Sequence, residues 1–230
     1  MDGTIIMVAK LKGGAGATTT CRELAAAALA DGLDVALIDL DGQGTLTKWW
    51  NRRTKDAALG VRQPELLQVA AEQIPATTKA LRARYDLIVI DSPPSVADTI
   101  RAVAAVTDLV LVPARPTTDD LDAVGPIVRL LHDVADIAFI QTQVPNVRSR
   151  DGADAHVLLA QRAPVVGRTT FRAEYSRPPS VGSTGFEMGK VAAQEVGALW
   201  ACVRERLAIP VSRDTGKAVS GDDVTMGLEG

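Results

Sequence analysis

Two cysteines, two histidines and an aromatic share of 3% leave this 230-residue chain little material for several common kinds of chemistry. Cys21 and Cys202 form no C-x-x-C pair, which argues against both a disulfide framework and a thiolate zinc site, and both read as ordinary small buried residues. His132 and His156 stand alone and read as structural. No apolar run is long enough to span a bilayer, and the chain enters a strand-like segment at once, without the basic and apolar regions of a signal sequence. A soluble, cytoplasmic protein is expected. A formal charge of −3 gives no global nucleic-acid signature, although a local basic patch can still bind DNA. With 47% hydrophobic residues the chain can bury one sizeable core. The expectation is a single domain over residues 1–211, followed by a polar, disordered tail over 212–230.

What is present is alternation. Thr4–Val8, Val35–Asp39, Leu87–Asp91, Leu109–Pro113 and Ile137–Thr142 read as strands, and their nearly continuous apolar character suits a parallel sheet covered on both faces. Helical patterns lie between and beyond them, at Thr18–Asp31, Ile74–Arg84, Ser95–Val106, Asp119–Val134, Asp151–Arg162 and Glu187–Leu207. Ser95 and Asp98 have the spacing of a capping box. Leu66–Val69 fits either a strand or the start of a helix. The implied fold is α/β, a doubly wound, mostly parallel sheet with helices on both faces.

In such a sheet, ligands bind at the carboxyl ends of the strands. The first strand runs into Lys10-Leu-Lys-Gly-Gly-Ala-Gly-Ala-Thr-Thr-Thr20, where close glycines let backbone N–H groups wrap phosphate oxygens at a helix N-terminus. The second strand ends in Asp39-Leu-Asp41-Gly-Gln43, and the Leu87–Asp91 strand leads into Ser-Pro-Pro94. A nucleotide phosphate carries Mg²⁺, which takes hard oxygens. The Thr18 hydroxyl and the Asp91 carboxylate supply them.

These three motifs, in order, resemble the ParA/MinD group of deviant Walker ATPases, with their K-G-G-x-G-K-S/T-S/T loop, D-x-D segment and D-x-P-P strand end. Here they read Lys12-Gly-Gly-Ala-Gly-Ala17-Thr-Thr19, Asp39-Leu-Asp41 and Asp91-Ser-Pro-Pro94. The resemblance covers about the whole folded portion and implies a P-loop ATPase converting ATP to ADP and phosphate. Lys12, Gly13, Gly14, Ala15, Gly16, Ala17, Thr18 and Thr19 would cradle the nucleotide. Lys12 would reach across a nucleotide-dependent homodimer to the partner's phosphates, and Asp41 would orient the attacking water. Thr18, Asp39 and Asp91 would hold the metal shell, and Gln143 is the choice for adenine recognition. Gln43 fits the D-x-D-P-Q form common in ParA proteins, while Gly42 replaces its proline.

Ala17 stands where the family has its phosphate-binding lysine. Losing a desolvated charged hydrogen bond costs about 1.5–3 kcal/mol in binding, and more in the transition state. Weak ATP binding, very slow hydrolysis, or both are therefore expected. Among relatives, a MinD-like protein needs an amphipathic membrane helix, whereas Ser212–Gly230 is polar. An iron protein needs cluster-bridging cysteines, and a tyrosine-kinase relative needs a tyrosine-rich tail. Small ParA proteins fit best, so the resemblance implies a plasmid-segregation role, a nucleoid-associated location, non-specific DNA binding and a ParB-type or other centromere-binding adaptor, without a membrane. Arg168, Arg172 and Arg177 are the candidate DNA contacts, within a wider group that includes Arg148, Arg150 and Arg162. The alternatives are a nucleotide-independent scaffold or a MinD-like positioning ATPase. Trp49 and Trp50 read as packing or partner-surface residues.

Overall fold

The computed structural model describes residues 2–10, 13–55, 60–93, 97–176 and 182–210. Its seven strands are β1 (Thr4–Val8), β2 (Val35–Asp39), β3 (Glu65–Leu67), β4 (Leu87–Asp91), β5 (Leu109–Ala114), β6 (Ile137–Val144) and β7 (Val165–Thr170). They form one sheet in the order β3-β2-β4-β1-β5-β6-β7, with every neighbouring pair parallel. The helices are α1 (Ala17–Ala30), α2 (Thr45–Lys55), α3 (Ile74–Arg84), α4 (Ala97–Ala104), α5 (Thr118–Leu131), α6 (Arg150–Ala160), α7 (Ala173–Ser176), α8 (Gly185–Met188) and α9 (Lys190–Arg206).

Because successive strand residues face opposite ways, the apolar runs supply two cores. Ile6, Val8, Leu37, Val89 and Leu111 pack with α1 and α9, through Leu24, Ala28, Leu199, Trp200 and Val203. Ile5, Met7, Ile88, Ile90, Val112 and Phe139 pack with the helices of the other face, through Ile74, Ile100, Val124, Leu131 and Leu159. The doubly wound expectation holds: from β1 the chain runs through β2 to the edge at β3, then returns through β4 past β1 to β5, β6 and β7, so the connections leave β1 and β5 in opposite directions and open a crevice at the carboxyl ends.

β7, α2 and the one-turn α7 escaped the sequence reading. β7 is an edge strand, mostly half-buried with Arg168 exposed, so it lacks a continuous apolar run. Gly167 within it is required by packing, since an added Cβ would lie 2.6 Å from Leu199 Cδ1 on α9. Pairing between β6 and β7 slips register twice along its length. α2 carries the Trp pair: Trp49 is buried and Trp50 half-buried, with Trp50 Nε1 donating to the Pro64 carbonyl at 2.7 Å, a packing role as expected. Beneath Trp49 lies Arg53, 1% exposed, donating to Glu187 Oε1 and Oε2 at 2.7 and 2.9 Å and to the Gly182 carbonyl at 3.1 Å.

Smaller differences have local causes. The open segment Leu66–Val69 resolves as β3, one residue earlier and shorter. Cys202, expected to be buried, lies exposed on the outer side of α9, whereas Cys21 is buried. Ser95 of the expected capping box and the 212–230 tail lie outside the described residues. Among the described residues, no helix is long and apolar enough to cross a membrane.

Candidate nucleotide site

The glycine loop joins β1 to α1. Gly14 and Gly16 take φ values of 86° and 91°, the left-handed region open to glycine at little cost, and this curls the chain so that α1 starts at Ala17. No acidic side chain occupies the first turn of α1, so its N–H groups and the positive end of the helix are available to an anion. β6 fastens the loop from the side. Thr142 Oγ1 donates to the Ala15 carbonyl and Gln143 Nε2 to the Gly14 carbonyl, both at 2.7 Å. Gln143 itself has φ 53°, a strained value for a side chain of its size.

The strand tips bring the expected polar groups together. Thr18 Oγ1 donates to Asp91 Oδ2 at 2.7 Å, which joins the end of the loop to the end of β4. Asp91 is fully buried. Burial pushes its carboxyl up to about 6, in spite of the neighbouring Lys10 charge and the Thr18 hydrogen bond. Asp41 lines the same cavity, of about 290 Å³, together with Gly14, Gly16, Thr18, Thr19 and Gln143.

The residue that sequence reasoning missed is Lys10. Its Nζ lies 2.6 Å from Asp41 Oδ2 and 3.1 Å from Asp91 Oδ1, so one ammonium bridges the second and fourth strand tips. Ser92 Oγ accepts the Lys10 backbone N–H at 2.9 Å and fixes the start of the side chain. Burial alone would lower the Lys10 pKa, but the Asp91 charge and the hydrogen bonds to both carboxylates raise it overall. On Asp41, burial is outweighed by the hydrogen bonds from Lys10 and the Gln43 N–H, and its carboxyl lies below the usual range. The available signal was a lysine two residues beyond a strand end, in a loop whose own lysine position holds alanine.

Other expected residues take different places. Asp39 Oδ1 accepts the Asp41 N–H at 3.1 Å, while Oδ2 accepts the Thr47 N–H and hydroxyl at 2.8 and 2.9 Å. Asp39 therefore braces the turn into α2. Thr19 Oγ1 accepts from Arg22 Nη2 at 3.0 Å. Ala17 is 5% exposed and packs into the α1 core while its edge lines the cavity. Gln143 separates this cavity from a second one of about 170 Å³, walled by Thr20, Glu23, Thr142, Phe171 and Tyr175.

Of the arginines expected to contact DNA, Arg168 and Arg172 line one surface cavity beside β7. Arg168 is exposed on the β7 edge, whereas Arg172 Nε pairs with Glu195 Oε1 at 3.2 Å. That carboxylate also accepts from Thr170 and Tyr175, so Arg172 belongs to a part-buried polar cluster. Arg177 and Lys12 lie outside the described residues.

Comparison with known proteins identifies the family. The family model described as ATPase MipZ matches residues 4–163. Maintenance of carboxysome distribution protein A from Gloeobacter kilaueensis is 38% identical over 120 residues, 51% of this chain and 51% of that protein. The chromosome-partitioning ATPase Soj of Thermus thermophilus is 32% identical over 154 residues, 56% of this chain and 61% of that protein. The matches thus span a little over half the length of these relatives. Among solved structures, an ATP complex of McdA from Cyanothece superposes with a TM-score of 0.70 at 19% identity, covering 91% of this chain and 98% of that one. By its matched family model and its all-parallel sheet, this chain belongs to the MipZ ATPase family, among the positioning and partition ATPases of ParA/MinD type.

Proposed function

We propose that the chain is an ATP-binding switch of ParA type that positions DNA, with hydrolysis slowed at Ala17. The observation that carries this is the convergence of the loop, Thr18 and Asp41 on one cavity, with the buried Asp91 carboxylate holding the Thr18 hydroxyl behind it. The left-handed glycines and the free first turn of α1 suit a polyphosphate. Adenine would lie toward Gln143 and the cavity behind it.

Magnesium fits the donor set in part. Among the described residues no group of three His, Cys, Asp or Glu could hold a metal by itself. The Thr18 hydroxyl and Asp91 carboxylate are the hard oxygens that Mg²⁺ accepts when phosphates and water complete its shell, as in other P-loop sites. When bound, the ion would neutralise phosphate charge. The chain's own contribution is positional: β6 holds the loop, Asp91 orients the Thr18 hydroxyl, and Asp41 is placed to orient a water once Lys10 releases it.

In this reading Lys12 acts across a nucleotide-dependent homodimer, the dimer binds DNA without sequence preference on the nucleoid, and an adaptor of centromere-binding type triggers release. The carboxysome and chromosome relatives support a positioning role in general, and DNA is the cargo we favour.

The test is Mg-ATP turnover with DNA present, for this chain beside Ala17→Lys. Turnover by the Ala17→Lys protein at least tenfold above that of the unaltered chain supports the reading. Absence of turnover and of nucleotide binding in both proteins favours a nucleotide-independent scaffold.

A further inference from the structure

We infer that Lys10 is the phosphate-binding cation of this loop, a substitute from the strand side for the ammonium that Ala17 lacks. This rests on the nucleotide reading above and names the residue that makes it workable.

The loop cavity needs a positive charge beyond backbone N–H groups if it is to hold a polyphosphate well. Among its described lining residues, Lys10 is the cation. Two guanidiniums come near the loop, but neither lines its cavity. Arg115 lies beside Gly14, but its Nε and Nη2 donate to the buried Asp120 carboxylate at 2.9 Å each. Arg22 donates to Thr19 Oγ1.

Lys10 differs from both. Its side chain is 9% exposed, so the ammonium has already lost most of its water, and its desolvation was met when the chain folded. It is anchored at the backbone by Ser92 and carries a long, flexible stem. Its partners are the two carboxylates, Asp41 and Asp91, that an ATPase of this type needs for other work. In the structure the ammonium therefore holds these carboxylates together. An incoming phosphate offers it a more highly charged partner in the same cavity, and the exchange swaps one charge-assisted contact for another. Part of the carboxylate pairing is given up in that exchange. Nucleotide binding should then be weaker than with a dedicated loop lysine, though well above that of a loop with no cation.

A second role must be separated from this one, because Lys10 could merely mask Asp41 and keep it from repelling phosphate. The experiment is direct titration of the purified chain with N-methylanthraniloyl-ATP in EDTA, so that freed carboxylates cannot recruit a metal. The proteins compared are the unaltered chain, Lys10→Met, the double variant Lys10→Met/Asp41→Asn, and Ala17→Lys. Thermal denaturation of each confirms that it is folded. The double variant serves where Lys10→Met alone is unstable, since it leaves one fewer unpaired carboxylate.

The expected result is measurable binding by the unaltered chain and at least tenfold weaker binding by both Lys10 variants. Binding by the double variant equal to that of the unaltered chain would reduce Lys10 to a mask and overturn the proposal. So would undiminished binding by Lys10→Met. Binding by Ala17→Lys but not by the unaltered chain would leave the nucleotide site standing and reject Lys10 as its cation. Absence of binding in all four would overturn the proposal, and the same absence with Mg²⁺ in place of EDTA would remove the nucleotide reading with it.

Discussion

Glu23 offers a sharp test of how the site is built. It lies on α1, one turn from the phosphate loop, and is 4% exposed. Its Oε1 accepts the Gly185 N–H at 2.8 Å and its Oε2 the Phe186 N–H at 2.7 Å, which ties α1 to the first turn of α8. Burial dominates these two hydrogen bonds and raises the carboxyl from 4.5 to about 7. The folded chain therefore keeps this proton up to about pH 7, whereas the unfolded chain releases it near 4.5. Stability from this group is fully present below pH 4.5 and falls as the pH rises through 7. At about 1.4 kcal/mol per unit, the loss amounts to about 3 kcal/mol across that window. Glu23→Gln keeps an acceptor for one of the two N–H groups and removes the titration. Urea denaturation between pH 4.5 and 8 should show the unaltered chain losing about 3 kcal/mol more than Glu23→Gln over the interval. Parallel pH profiles for the two proteins would refute the reasoning and mean that the α8 N–H groups hold Glu23 ionised throughout.

Further outcomes follow from the same geometry. Arg53→Ala removes one half of a buried pair and leaves Glu187 without its partner. It should cost about 3–5 kcal/mol and lower Tm by about 10 °C, whereas Arg62→Ala, which breaks the exposed contact with Asp34, should cost under about 1 kcal/mol. In DNA-binding titrations against salt, Arg168→Gln should reduce the slope by about one counterion if the β7 edge meets phosphate; an unchanged slope removes Arg168 from the interface. Arg172→Gln should act mainly on stability, through the Glu195 cluster, and a reduced slope without loss of Tm would return it to the DNA face.

How far the sequence could be read depended on whether a signal is local. The buried strands β1, β2, β4, β5 and β6 announce themselves as unbroken apolar runs, and the loop with its two aspartate-bearing strand tips declares the site in order. β7 is hidden because it is a half-buried edge strand with Arg168 exposed, and because Gly167 is explained only by Leu199 on a distant helix. α2 begins immediately after a loop read for its chemistry, so its amphipathic pattern with Trp49 and Arg53 was passed over. Asp39 and Lys10 were beyond reach for a different reason. Both lie in stretches whose motif logic assigns roles by position, yet the partners they take, Thr47 for one and a carboxylate eighty-one residues away for the other, are set by the fold.

The two ends of the sheet carry one more consequence. At one end β3 is three residues long; at the other β7 exposes Arg168 and twice breaks step with β6. Short strands, edge charge and bulges are poor templates for a second sheet. A protein that works by crowding onto a shared surface is exposed to amyloid-like stacking wherever a straight edge is on offer. At both ends this sheet offers an incoming strand a short or irregular partner.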